Sequence, residues 1–143
     1  MNNIYCALSP EPFSVDAVQQ FVSDESAGAV AMFTGTARTV SSLTPGRTVL
    51  RLEYEAYEEM AMRVLREIGE NIISSHQIKK IALVHRIGVV PVGEISLIAA
   101  VSAQHRAPAF DGLRDAVEQI KKKLPVWKKE VYSDGSHWVG MGS

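Results

Sequence analysis

Positively charged side chains carry the chemistry this sequence offers. The stretch Ile120 to Glu130 reads I-K-K-K-L-P-V-W-K-K-E and holds five of the seven lysines of the chain. An apolar pattern of Phe110, Leu113, Val117, Ile120 and Leu124, at helical spacings of three and four, leads into it. Pro125 stops that helix within about one turn, because its ring clashes with the preceding turn and it has no N–H to donate. It also biases Leu124 to an extended conformation. Lys121 then projects from the last helical turn and Lys128 from the extended segment beyond the break, so two ammonium groups on different elements can converge on one anionic ligand. A run of lysines in a last turn also serves as a solvated face that complements the helix dipole, and Lys121, Lys122 and Lys123 suit that role equally. Lys128 suits it less. It stands between Trp127 and Glu130 among large residues, where partial desolvation lowers an ammonium pKa toward a range useful for proton transfer.

Further cationic groups extend the set. The polar segment Thr36 to Thr48 contains Pro45 and Gly46 and reads as a long mobile loop carrying Arg38 and Arg47. Two His-Arg pairs stand at the ends of apolar strands. His85-Arg86 leads into a tight joint at Ile87-Gly88 and reads as a structural hydrogen-bonding pair. His105-Arg106 precedes the helix that ends at Lys121, where a helix N-terminus favours phosphate and an arginine holds phosphate or carboxylate bidentately; satisfied structural roles are equally open to it. Arg38, His105, Arg106, Lys121, Lys128 and Lys129 together form an inventory for a small, multiply anionic substrate. Metal chemistry lacks its pattern, since no H-x-x-x-H or H-E-x-x-H occurs. There is no G-x-S-x-G, G-x-G-x-x-G or G-x-x-x-x-G-K, so a nucleophile elbow and nucleotide loops have no support. No cofactor is expected.

The elements that must position these groups mix strands and helices without a regular strand–crossover alternation, which predicts an α+β fold with a mainly antiparallel sheet. Strands are expected at Ile4–Ala7, Gly28–Thr34, Val49–Ala56, Lys80–Arg86, Glu94–Ser102 and Val126–Tyr132, with a short last strand around Trp138 after an Asp134-Gly135 hairpin turn. Glu94–Ser102 is apolar enough to be covered on both faces. Gly88 to Gly93 reads as a turn-rich joint. Ser14 is the expected N-cap of a helix burying Val15, Val18, Phe21 and Val22. A second helix follows Val49–Ala56 directly, with Met60, Ala61, Val64, Leu65, Ile68 and Ile72 on its apolar face. The 143 residues predict one domain spanning 1–143, long enough for a core without disulfides. A composition 46% hydrophobic and 22% charged is that of a soluble protein, no segment is apolar enough to span a membrane, and no secretory signal is evident, so the cytoplasm is the expected compartment. The single cysteine, Cys6, excludes an internal disulfide and reads as a small buried apolar residue.

Several motifs in one order resemble those of a known family, the large, catalytic subunit of molybdopterin synthase. They are F-T-G-T-A-R at Phe33 to Arg38, L-E-Y-E-A-Y-E-E-M-A at Leu52 to Ala61, H-R-I-G at His85 to Gly88, and G-E at Gly93-Glu94. S-A-Q-H-R at Ser102 to Arg106, K-K-K-L-P-V-W-K-K-E at Lys121 to Glu130 and D-G-S-H-W at Asp134 to Trp138 complete the series. The resemblance implies an α/β-hammerhead with an additional strand-rich subdomain. It implies conversion of cyclic pyranopterin monophosphate (precursor Z) into molybdopterin by installing two sulfurs as a dithiolene. The implied sulfur source is a thiocarboxylate on the C-terminal glycine of a small ubiquitin-like subunit, in a heterotetramer whose two large subunits dimerise centrally. By the same resemblance Lys121 and Lys128 are the catalytic lysines, and Thr36, Ala37, Arg38, His105, Arg106, Lys129 and Glu130 line the substrate pocket together with them. One of Arg38, His105 and Arg106 could then come from across the dimer.

Two other readings compete. A non-catalytic docking module would use the lysine-rich segment to bind a ubiquitin-like or other acidic C-terminal tail. Nucleic-acid binding would use the basic stripe, but 15 basic against 16 acidic residues and a cluster confined to one short segment leave little surface for phosphate tracking, so no nucleic-acid partner is expected.

Overall fold

Alternating burial along two long apolar strands organises the structure, a computed structural model that describes residues 2–41 and 45–141. Among the described residues the elements are β1 (Ile4–Ser9), α1 (Val15–Val22), β2 (Ala29–Thr36), β3 (Val49–Ala56), α2 (Glu58–His76), β4 (Ile78–Arg86), β5 (Gly88–Pro91), β6 (Ile95–Ala103), α3 (Arg106–Lys123), β7 (Val126–Tyr132) and β8 (Gly135–Met141). The first sheet has the order β1-β4-β6-β2, with β1 parallel to β4 and the other pairs antiparallel. Because side chains alternate along a strand, β4 and β6 send Ile81, Leu83, Leu97, Ala99 and Val101 to one face and Ala82, Val84, Ile98 and Ala100 to the other. Helices α2 and α3 cover the first face, with Leu65, Ile68, Ile72, Ala116 and Ile120 in the core. Helix α1 covers the second with Val18 and Val22. Both faces of β6 are therefore buried, as its apolar run predicts.

The second sheet, β5-β3-β7-β8, is antiparallel throughout. Its inner face contributes Val49, Leu52, Tyr54, Val90, Val126 and Tyr132 to the same core that α2 and α3 close. The fold is α+β, with a strand-only sheet attached to a helix-covered one, in keeping with the expected extra strand-rich part. Among the described residues no helix is long and apolar enough to cross a membrane.

Most expected elements are present, with instructive differences. Ser14 caps α1, its Oγ accepting from Ala17 N at 3.1 Å. Gly88 to Pro91, expected as part of a joint, forms strand β5 by pairing with Tyr54 to Arg51; Gly88 takes a positive φ of 75°, which lets the chain fold back at once after β4. Phe110 and Met60, expected on apolar helix faces, are 63% and 46% exposed. Their chain neighbours Ala109 and Ala61 take the core-facing positions of those turns instead, both almost completely buried. Of the expected 36–48 loop, Thr36 ends β2 and residues 42–44 lie outside the described residues.

His85-Arg86 is a structural pair. Arg86, 3% exposed, donates to Glu94 Oε1 at 3.0 Å and to the Val89 carbonyl at 3.1 Å, tying the ends of β4, β5 and β6 together. His85 is fully buried, its Nδ1–H donates to the Arg86 carbonyl at 2.6 Å, and its ring packs edge-on to Tyr54. Burial drives its pKa down from 6.5 to about 4, against the smaller opposing effect of that hydrogen bond. The unfolded chain thus takes up a proton near pH 6.5 that the folded chain refuses until about pH 4. His85 therefore costs stability progressively as pH falls through this window, on the order of 3 kcal/mol in all. Urea unfolding at pH 7, 5.5 and 4.5 checks this: His85→Phe, which cannot take up a proton, is less stable than wild type at pH 7 but loses less stability on acidification.

Candidate active site

Where the two sheets meet, the end of β2, the start of β6 and the inner face of β3 and β7 enclose a cleft of about 370 Å³. The floor is built by strand alternation. On β7, Lys128, Glu130 and Tyr132 share one side, and across the antiparallel ladder Tyr54 stands opposite Lys128 and Leu52 opposite Glu130. Phe33, Gly35 and Thr36 of β2 and Ser96 of β6 form the adjoining wall. The chain break at Pro125 supplies the rest. Helix α3 ends at Lys123, Leu124 turns extended with φ −72° and ψ 122°, and Lys121 reaches the cleft from the last turn while Lys128 reaches it from the strand beyond.

Arg38 enters from the segment after β2, and its approach is set by backbone bonds. Ala37 N donates to the Glu94 carbonyl at 3.0 Å and the Ala37 carbonyl accepts from Gly93 N at 2.8 Å. Gly93 has φ 91°, a left-handed conformation that suits glycine. Since Glu94 also holds Arg86, the buried arginine and the loop arginine are fixed through one turn.

Of the residues expected at the site, Thr36, Arg38, Lys121, Lys128 and Glu130 line this single cleft. Ala37 lies beneath it, buried, and acts on it only through the backbone bonds just described. Lys129 points to the opposite side of β7, where its Nζ lies 3.6 Å from Glu53 Oε1 and 4.9 Å from the centre of the Trp138 ring. His105 and Arg106 are exposed at the N-terminal end of α3, His105 as its N-cap residue. Fifteen residues at 1.5 Å rise set Arg106 about 22 Å along the helix from Lys121, so neither reaches the cleft of its own chain. Tyr54, Phe33 and Ser96 also line the cleft; Phe33 and Tyr54 fall within the motifs quoted above, but only their strand character can be read from the residues themselves, and Ser96 carries no signal beyond its strand.

Four charges govern the electrostatics. Lys128 is half-buried, and this desolvation lowers its pKa below the ordinary lysine range. Glu130 opposes the shift, while Lys121 and Arg38 reinforce it. Tyr54 stays a neutral phenol, its pKa raised by burial and by Glu130 against a bond with Ser96. The Glu130 carboxylate is buried and accepts a 2.6 Å bond from the Tyr132 hydroxyl. Two ammonium groups and a guanidinium around one buried carboxylate make a site with excess positive charge, suited to an anion. One of these ammonium groups gives up its proton more readily than a lysine in water. Among the described residues no three His, Cys, Asp or Glu side chains converge as a metal site needs.

The balance of charges makes Lys128 tunable in both directions. Removing a repelling neighbour, as in Lys121→Met, raises its pKa toward the ordinary value, and neutralising its opposing charge, as in Glu130→Gln, lowers it further. Carbon-13 NMR titration of reductively methylated protein, with Lys128→Arg to assign the resonance, reads both; an unmoved Lys128 resonance in both variants would contradict the coupling.

A family model described as "MoaE protein" matches residues 8–123. The curated protein named "Molybdopterin synthase catalytic subunit" from Bacillus subtilis (strain 168) is 39% identical over 133 residues, covering 93% of this chain and 83% of that protein. The protein of the same name from Homo sapiens is 43% identical over 133 residues, covering 93% of this chain and 69% of its own length. A solved structure described as molybdopterin synthase from Staphylococcus aureus superposes with a TM-score of 0.86 at 38% identity, covering 93% of this chain and 95% of that one. Given a match that takes in β2 through α3 and identities near 40% across most of both chains, this chain belongs to the MoaE protein family.

Proposed function

We propose that the chain is the catalytic subunit of a molybdopterin synthase and that the cleft at Lys121 and Lys128 is where sulfur is transferred. The observation that carries this reading is the convergence of Lys121, Lys128 and Arg38 from three separate elements on one cleft, with the proton affinity of Lys128 lowered. The substrate is a cyclic pyranopterin monophosphate, precursor Z, and the sulfur donor is the C-terminal thiocarboxylate of a small ubiquitin-like subunit whose tail enters the cleft. The singly charged cyclic phosphate and the anionic thiocarboxylate both suit the excess positive charge. Lys121 supplies a positive charge that stabilises the oxyanion formed as thiocarboxylate sulfur adds to the pterin side chain; water then cleaves the acyl C–S bond of the resulting thioester, leaving sulfur on the substrate and a carboxylate on the donor tail. Lys128, the more easily deprotonated, carries the proton as general acid and base. Arg38 holds phosphate, Thr36 offers its hydroxyl, and Glu130 sets the proton affinity of Lys128.

His105 and Arg106 fit this reading only through a second copy. Some 22 Å from Lys121 on the same helix, they serve the cleft of the neighbouring large subunit in a central dimer, with one small subunit bound at each outer end. Lys129, paired with Glu53 on the far side of β7, supports the strand and does not touch substrate.

A mass-spectrometric turnover assay tests the function: this chain, a thiocarboxylated small subunit and precursor Z yield the dithiolene product. Lys121→Ala and Lys128→Ala each lower the rate by about a hundredfold or more while the small subunit still binds. Binding of the authentic small subunit by wild type with no product would overturn the assignment and leave a docking module. The shared site has its own check. Arg106→Ala chains and Lys128→Ala chains, each inactive alone, recover roughly a quarter of wild-type activity when unfolded and refolded together, because half the dimers then carry one intact composite site. No recovery would overturn the placement of Arg106 in the neighbouring subunit's cleft, and full activity of Arg106→Ala alone would place it outside the reaction.

A further inference from the structure

Behind the lysines, a chain of contacts, buried at Glu130 and Tyr132 and exposed at Arg47 and Asp134, runs from the cleft to the connection between β2 and β3. Glu130 is 5% exposed, and one of its oxygens accepts a 2.6 Å bond from the Tyr132 hydroxyl, which is also buried. Tyr132 is held in turn. The Arg47 guanidinium lies 4.0 Å over the centre of its ring, and Arg47 Nη2 donates to Asp134 Oδ1 at 2.6 Å. Arg47 belongs to the same connection as Arg38, so one segment sends one arginine into the cleft and clamps the support of the cleft carboxylate with the other.

We propose that Tyr132 is a positioning residue for sulfur transfer: its hydroxyl fixes the Glu130 carboxylate beside Lys128, and Arg47, anchored on Asp134, fixes the Tyr132 ring. This rests on the reading of Lys128 as the proton carrier. The physical need is plain. A desolvated carboxylate next to an ammonium closes into a direct ion pair unless something holds it, and that pair would bind the Lys128 proton tightly. Among the described residues Glu130 is bonded to Tyr132 and makes no ion pair within reach of Lys128. The charged and titratable groups that face Lys128 are Glu130 on its own strand, Lys121 from α3, Arg38 from the loop and the neutral Tyr54 phenol from β3. Of these only Glu130 favours the charged ammonium, so its placement decides how readily the proton leaves.

Tyr132→Phe removes the hydroxyl and leaves the ring under Arg47. Freed, the carboxylate closes on Lys128, whose NMR titration moves to higher pH. In turnover, kcat falls about tenfold with KM little changed, and the limb of the pH profile that reports Lys128 moves to higher pH. Arg47→Lys keeps the charge but loosens the clamp, and shifts the titration in the same direction by less. Adding Tyr132→Phe to Glu130→Gln produces no further movement, since the hydroxyl acts through the carboxylate. A Lys128 titration that stays in place in both Tyr132→Phe and Arg47→Lys overturns the proposal, and so does a lowered thermal midpoint with an unmoved pH limb, which is the mark of a merely structural tyrosine. The titration is read without substrate, so its outcome is distinct from failure of Lys128→Ala to slow turnover, which would overturn the function itself.

Discussion

Pro125 cannot donate a hydrogen bond to α3, and its ring excludes the helical conformation from Leu124. The consequence reaches every charged group at the cleft. The helix stops with Lys121 in its final turn, Leu124 turns the chain outward, and β7 begins at Val126 in register with β3. Were the helix to continue by seven residues, Lys128 would fall two turns beyond Lys121, about 10 Å further along the axis, and would leave β3 without its central partner. The proline thus converts spacing along a sequence into approach across a cleft, and it gives the second sheet the strand that joins it to the first core.

Bringing like charges together is unfavourable unless something opposes it, and the fold meets that demand with neighbours of different kinds. Lys121 keeps its ammonium at an exposed helix end, where the unpaired carbonyls favour it. Lys128 is half-desolvated between Lys121 and Arg38, and one buried carboxylate offsets the cost. Arg86, the other buried cation near the junction, is neutralised by Glu94 and by carbonyls, so it adds rigidity without adding to the field that a ligand meets. The pairings that tie the scaffold together and the charges left for an anion are therefore carried by separate residues, although the turn at Gly93-Glu94 connects them.

How much of this the sequence displays depends on whether the signal is local. The break at Pro125, the cap at Ser14 and the doubly buried β6 are all written within a few residues of where they act and are present as expected; the hairpin that Asp134-Gly135 signals turns one residue earlier, at Ser133-Asp134, with Gly135 already paired in β8. The period of two in β7 also tells that Lys128 and Glu130 share a side and that Lys129 does not, once the segment is known to be a strand. Other features are set by tertiary placement. Phe110 fits the helical repeat yet stays exposed, because Ala109 takes the core-facing position at that turn of α3. Tyr54 and Ser96 become cleft residues only when β3 and β6, from different sheets, meet. The distance of His105 and Arg106 from Lys121 follows from helix length, but only the folded chain shows that no bend brings them back. The Arg47–Tyr132 stacking joins residues 85 positions apart and leaves no trace in either local pattern.

The strand order has a bearing on how the chain is made. In the first sheet β1 waits for β4 and β2 waits for β6, with Ala29 finding its partner only in Ala103. On a ribosome adding roughly 5–20 residues per second, β2 and the loop behind it emerge several seconds before any strand exists to receive them. The cleft closes later still, because its last wall, β7, comes from the final fifth of the sequence. A nascent chain therefore completes its helix cover and its concentrated positive charge together, since Lys121 to Lys123 ride on the last turn of α3 and β7 begins at Val126, so the anion-binding surface forms only as the scaffold that confines it is completed.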